Sequence, residues 1–160
     1  MAVSFKAVED YYLGASGVTT KKFAVKSGAA GTIQEGDIVI EDGSNAGYAK
    51  IAADGASSTA VYLGVATSDS TDTASADGVV EVRTAPNLVI EGKVTTAGNL
   101  TRATVGTSVT LDGTTGAQTI DENDTSSGVF IILDPLNFKV SNSFDTTNGV
   151  HRFRIACTPQ

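Results

Sequence analysis

Between residues 22 and about 111, apolar and polar positions alternate with a period of two, segment after segment. Phe23 and Val25 open the series, and a glycine-rich turn follows at 28–31. Ile38 and Ile40 fall on one face of the next segment, which Glu41-Asp42-Gly43 ends. Ala49, Ile51 and Ala53 alternate with Tyr48, Lys50 and Ala52 before Asp54-Gly55. Val61, Leu63 and Val65 share a face, with Gly64 opposite the middle of the run. Val80 and Val82 oppose Glu81 and Arg83; Leu88, Ile90 and Val94 oppose Glu91 and Lys93; Val105, Val109 and Leu111 oppose Gly106, Ser108 and Thr110. A period of two predicts strands with one buried face. Spacings of about ten residues with Asp-Gly turns between them predict an all-β fold, an antiparallel sandwich or small barrel.

The ends of the chain break this rhythm. In residues 1–22, Phe5, Val8 and Tyr12 fit one side of a short helix, and Gly14 and Gly17 then interrupt any regular element. This segment reads as a frayed terminus or as an arm that docks on a neighbour, with Phe5, Val8, Tyr11, Tyr12 and Leu13 as its contact residues. The arm is expected to be mobile alone and to order on binding. Residues 23–111 are then a β core domain, and 112–160 a C-terminal β extension that either completes the main sheet or forms a small subdomain. Two polar stretches, 66–78 and 112–128, predict long exposed loops. The continuous apolar run 129–133 predicts a strand buried on both faces or lying at an interface. Phe138 and Val140 start a further strand, and Asn148-Gly149 suits a hairpin turn. In the last strand Phe153, Ile155 and Cys157 share a face opposite Arg152 and Arg154.

Composition narrows the function classes. A chain of 160 residues can bury a core without metal or disulfide, and its single Cys157 allows no internal disulfide. The net charge of −7 and pI near 4.5 give a field that repels phosphate backbones, so no nucleic-acid partner is expected. No apolar run is long enough for a signal peptide or a membrane span, so synthesis in the cytoplasm and no membrane partner are expected. Thr, Gly and Asp are abundant, as tight-turned β proteins require.

Candidate chemistry is sparse. His151 and Cys157 share a strand face but stand six residues apart, about 20 Å, too far for a nucleophile and its base. Cys157 beside Phe153 and Ile155 reads as a small buried hydrophobe, and His151 as an ordinary strand-end residue. Asp121-Glu122-Asn123-Asp124 concentrates oxygen ligands but lacks the alternate spacing, central Gly and distant Glu of a calcium loop; it reads as a solvated acidic loop. Asp69, Asp72 and Asp77 are more dispersed still. The glycine pairs of Gly28-Ala-Ala-Gly31 and Gly14-Ala-Ser-Gly17 lack the Lys-Ser/Thr of a phosphate loop. No catalytic residue, metal or cofactor is expected.

One stretch has a specific order: Gly36-Asp-Ile-Val-Ile-Glu-Asp-Gly43, Gly47-Tyr-Ala-Lys-Ile-Ala-Ala-Asp-Gly55, Ala60-Val-Tyr-Leu-Gly-Val-Ala66, Asp77-Gly-Val-Val-Glu-Val-Arg83 and Val89-Ile-Glu-Gly92. Over about residues 23–95 it resembles the lambda-type head decoration proteins and related capsid cement proteins of tailed phages. The resemblance implies a structural virion protein, made in the host cytoplasm, that binds the outer surface of an assembled capsid and stabilises it. Its partners would be the major capsid protein and copies of itself, as a homotrimer or another homo-oligomer. The family's N-terminal arm commonly adds to a neighbouring subunit's sheet, a form of β-augmentation. The alternative is a tail or surface β module that binds a host receptor or glycan, which would require exposed aromatics on its loops.

Overall fold

A computed structural model describes residues 4–28, 31–56, 58–126, 128–135, 144, 147 and 149–157. The strand expected at Phe138 and Val140, and Asn148 of the expected hairpin turn, lie outside them. The described elements are strands β1 (Phe5–Asp10), β2 (Thr19–Val25), β3 (Ile38–Glu41), β4 (Tyr48–Ile51), β5 (Tyr62–Ala66), β6 (Gly78–Thr84), β7 (Asn87–Lys93), β8 (Ser108–Asp112), β9 (Thr119–Asp121), β10 (Phe130–Ile132) and β11 (Val150–Ala156). Two short 3₁₀ turns, Ala15–Gly17 and Arg102–Thr104, accompany them. The fold is all-β, and it combines a small barrel with a packed sheet.

Strands β2-β4-β3-β5-β6 close into the barrel. Closure is made by the β2–β6 pair, which runs antiparallel from Thr19↔Thr84 to Val25↔Gly78; only β2–β4 is parallel. The interior is filled by Val25, Ile33, Val39, Ala49, Leu63, Ala66, Val80 and Val82. The other strands form a six-stranded sheet in the order β1-β7-β11-β10-β8-β9. Its inner face sends Phe5, Ile90, Leu111, Phe130, Phe153 and Ile155 against Ile38, Ile40, Tyr62 and Val65 on the outside of the barrel. Strands β3 and β5 therefore have apolar neighbours on both sides. That is why Ile38-Val39-Ile40 and all five residues of β5 are buried.

Gly64 makes that double burial possible. The pairing runs Ile38↔Val65, Val39↔Gly64, Ile40↔Tyr62, so Leu63 is an extra residue in the ladder. The bulge turns Leu63 into the barrel while Tyr62 and Val65 face the sheet. The expectation that Leu63 and Val65 share a face is corrected here: one inserted residue reverses the alternation. Gly64 holds φ +143, and a Cβ there would collide with the Arg83 carbonyl oxygen.

The helical reading of the N-terminus is also corrected. Residues 5–10 form β1, an edge strand antiparallel to β7, with Phe5 opposite Gly92 and Asp10 opposite Leu88. Burial alternates over Phe5, Lys6 and Ala7, and a register shift between Ala7 and Glu9 then breaks the period. Phe5 lies across Gly92, where any Cβ would strike the ring. The segment expected to be an arm without a core thus contributes Phe5 and Ala7 to the main apolar cluster.

Among the described residues the extension expected at 112–160 forms no separate sheet. The boundary after residue 111 falls inside β8, and β11 inserts between β7 and β10. Strand β10, from the apolar run 129–133, sits inside the sheet with Phe130 and Ile132 buried. Gln118 ties sheet to barrel. Its Oε1 accepts the Ile38 N–H at 2.7 Å, its Nε2 donates to the Ala52 carbonyl at 2.8 Å, and its own N–H reaches Ser4 Oγ at 3.1 Å.

Candidate functional site

The surface that stands out is the turn between β1 and β2. Asp10 and Gly14 exchange two backbone hydrogen bonds of 2.9 Å, closing a tight loop over Tyr11, Tyr12 and Leu13. Asp10 is 2% exposed. Its Oδ1 accepts the N–H groups of Tyr12 and Leu13 at 2.9 Å each, and its Oδ2 accepts that of Asn87 at 3.1 Å. Burial pushes this carboxyl up, but the donors of Leu13, Tyr12 and Asn87 together outweigh burial and hold it below the usual carboxylate range. Gly14 takes φ +69, and Ser16 Oγ donates to the Leu13 carbonyl at 3.0 Å. A Cβ at Gly17 would come within 2.6 Å of Asp10 Cβ and 2.8 Å of Leu13 Cβ. A buried carboxylate and two glycines therefore fix the loop.

That loop holds up apolar side chains with little to cover them. Tyr12 is 70% and Leu13 65% exposed, the two most exposed large hydrophobics among the described residues. Tyr11 lies beside them, its ring edge-on to Tyr12 with centroids 4.9 Å apart, and the Arg154 guanidinium sits 4.6 Å from the Tyr11 centroid. Along the same outer sheet face Arg152 reaches Glu91 at 3.3 Å and Glu9 at 3.7 Å, a half-buried three-charge ladder across β1, β7 and β11. Arg154 makes no ion pair among the described residues. Next to the turn lies a cleft of about 320 Å³, walled by Val105, Ile131 and Leu133, with Asp134 at its rim and Tyr11 and Arg154 at its near side.

The five expected contact residues thus separate. Tyr12 and Leu13 are presented, Tyr11 is half-buried beneath them, Val8 is half-buried on β1, and Phe5 is in the core. Sequence reasoning missed Arg154, which the pairing of β11 with β7 brings to the turn. It also missed Asp10, whose signal was available: Asp two residues before Tyr12 and four before a Gly is an Asx-turn pattern.

The other candidates take structural positions. His151 is 1% exposed; its Nε2 lies 2.7 Å from the Leu133 carbonyl and its ring packs on Phe144 and Phe153. Its Nδ1 is buried without a hydrogen-bond partner. Burial pushes this imidazole below its ordinary value. Cys157 belongs to the main apolar cluster, and burial pushes its thiol up to about 12. Glu122, expected in a solvated loop, is 7% exposed and accepts Asn99 Nδ2 at 2.9 Å and Asn123 Nδ2 at 3.0 Å. The 66–78 stretch is likewise not a free loop. Asp72 is buried and accepts from Thr32 and Ser70, Asp69 accepts the Glu35 N–H, and Asp77 accepts from Ser27, Lys26 and Tyr48. These acids clasp the loop to the segment 26–35 and to β4. Among the described residues no three His, Cys, Asp or Glu side chains converge as metal ligands.

Compared with known proteins, the chain matches no family model, no curated protein and no solved structure.

Proposed function

We propose that this is a structural virion protein that binds the outside of an assembled phage capsid, against the major capsid protein, and clamps it as a decoration or cement protein. One observation carries the reading. The ordered strand-turn segment that resembles the decoration proteins, residues 36–92, is laid out as the consecutive strands β3 to β7, four of them in the five-stranded barrel and the last in the second sheet. The cross-ties suit a mechanical role. Gln118, Asp37 and the acids of 66–78 join segments far apart in sequence, so load on one element is shared by the others. Attachment on this reading uses surface that is already ordered. Repeated over a symmetric shell, modest contacts gain through avidity.

The test is direct. Purified protein is mixed with expanded shells of a tailed-phage major capsid protein, that of its own phage, and the particles are imaged by cryo-electron microscopy. Extra density outside the shell, with raised resistance to heat, is expected; bare shells at saturating protein overturn the reading.

A second reading, a tail or surface module for a host receptor or glycan, draws on Tyr11 and Tyr12, aromatics on an exposed loop. Arg154 over the Tyr11 ring competes with a sugar for one face. Binding to a glycan array, lost in Tyr12→Ala, would favour this alternative.

A further inference from the structure

The geometry points to a self-modification site at Asp112-Gly113: the Gly113 nitrogen is set to close on the Asp112 side chain, forming a succinimide that water opens to an isoaspartyl link. No shell, partner or cofactor takes part.

The chemistry is open in principle to any Asp-Gly pair, because glycine has no Cβ to shield its nitrogen from the preceding carboxyl. The chain has four such pairs, at 42–43, 54–55, 77–78 and 112–113. Three of them are committed elsewhere. The Asp42 carboxylate accepts the Ser44 N–H at 3.0 Å and Asn45 Nδ2 at 2.6 Å, and Lys50 adds an ion pair at 3.4 Å. The Gly55 N–H is given to the Leu111 carbonyl at 2.8 Å rather than to Asp54. Asp77 is turned to the Ser27 N–H at 2.8 Å and the Tyr48 hydroxyl at 2.6 Å, and Gly78 is packed on the Thr71-Asp72 backbone.

At Asp112 the pair faces itself. Its Oδ1 accepts the Gly113 N–H at 2.6 Å. The carboxyl carbon is one bond beyond that oxygen, so nitrogen and carbon are neighbours before any reaction begins, and a small side-chain rotation brings them together. Thr95 Oγ1 lies 3.1 Å from the other oxygen, Oδ2. That hydroxyl positions the carboxyl and can donate to the oxygen on which negative charge develops as nitrogen adds to the carbon. Gly113 holds φ +90, and a Cβ there would strike the Ala117 carbonyl oxygen, so the turn itself demands glycine at the reacting position.

In the first step the carboxyl reacts in its acid form. A bond forms between the Gly113 nitrogen and Asp112 Cγ, the Cγ–Oδ1 bond breaks, and Oδ1 leaves as water with the acid proton and the amide proton. In the second step water adds to the main-chain carbonyl carbon of residue 112, and the bond from that carbon to nitrogen breaks, its proton going to the nitrogen. The main chain then runs through the former side chain and is one methylene longer. The added length falls where β8 leaves for β9, beside the Asp112↔Thr119 pair and close to Gln118, whose amide reaches Ile38 and Ala52. Modification therefore loosens the tie between sheet and barrel.

The experiment uses the full chain, held folded in mildly acidic buffer below its melting temperature. Samples are digested and mapped by mass spectrometry, with isoaspartate scored by enzymatic methylation and by resistance to a protease that cuts before aspartate. The same incubation in denaturant gives the reactivity of each pair in the unfolded chain. In the folded protein, isoaspartate and a peptide one water lighter should build up at 112 several-fold faster than at 42, 54 or 77, and the lead should vanish in denaturant. Asn148-Gly149, whose Asn148 lies outside the described residues, is told apart by the mass change of deamidation. Thr95→Val, at an exposed position, should slow the reaction at 112, and Thr95→Ser should keep it; circular dichroism verifies that both fold. No lead at 112 in the folded protein, or the same lead in denaturant, overturns the inference. A folded Thr95→Val that reacts at the wild-type rate overturns the positioning role of Thr95. The modified fraction, separated by chromatography, should melt below the unmodified one; equal melting overturns the loosened tie.

Discussion

Two residues show how local chemistry sets the shape of this molecule. Asp10 satisfies three backbone N–H groups with one buried carboxylate. Asp10→Ala should cost about 2 kcal/mol, since bonds to a charged acceptor are worth more than neutral ones and the donors lose their partner. Denaturant titration measures it, and a change near zero would show that water replaces the carboxylate. Gly64 is the second case. Gly64→Ala forces a side chain into a left-handed conformation and against Arg83 backbone, so a loss of roughly 2–4 kcal/mol is expected in the same titration. His151 gives a pH signature. Desolvation lowers its folded value, while the Leu133 carbonyl and Asp134 favour the proton and Arg152 opposes it. The unfolded chain therefore takes the proton first, and stability should fall as pH drops below about 6.5. His151→Leu should flatten that slope between pH 6.5 and 5. An unchanged slope would place the titrating group elsewhere.

At the scale of elements, β1 matters most. An arm that orders only on binding could be removed without lowering the melting temperature. An edge strand that buries Phe5 and Ala7 and pairs with β7 cannot. Deleting residues 2–10 should lower the melting temperature markedly, and Phe5→Ala alone should cost about 3–5 kcal/mol by opening a cavity over Gly92. If the truncated chain melts like the intact one, β1 is peripheral after all. The polar stretch 66–78 follows the same logic in reverse. It looks like free loop by composition, yet Asp72 and Ser70 are buried because the turn at 31–35 needs acceptors that no strand provides.

At the scale of the whole molecule, barrel and sheet share one apolar layer through β3 and β5, and the fold should unfold as one unit. Its acid response follows from its carboxylates. Side-chain donation from Asn45, with Ser44 and Lys50, lowers Asp42 despite burial, and donation from Tyr48, with Ser27 and Lys26, takes Asp77 to about 2. Asp10 is lowered as well. Groups lowered on folding contribute stability above about pH 4 that is lost as pH falls through their folded values. Asp37 opposes the trend, because desolvation raises it in spite of the Gln34 and Gly116 donors. Below pH 4, a progressive loss of stability with one transition seen by both tyrosine fluorescence and circular dichroism is expected. Two separated transitions would mean that barrel and sheet unfold independently.

What the sequence determined by itself was the period of two, and with it the β class, the strands from β2 to β8 and the two-faced pattern of β11. These are local consequences of side-chain alternation on a pleated backbone, which any half-buried strand must obey. The run 129–133 announced a strand, but not one with the expected burial on both faces, because Ile131 is half-buried opposite the buried Phe130 and Ile132. Tertiary structure alone decided the rest. The bulge at Leu63 is one residue long and leaves no pattern except a glycine. Phe5, Val8 and Tyr12 fit a helix until β7 supplies a backbone partner and a gap over Gly92. Glu122 and Gln118 are polar in composition and buried in fact, because their partners lie 23 and 80 residues away in the chain. The stacking of Arg154 on Tyr11 exists only because β11, from the far end of the chain, pairs with β7 and carries Arg154 to the turn. Such contacts depend on which strands become neighbours, and alternation within one strand holds no information about its neighbour.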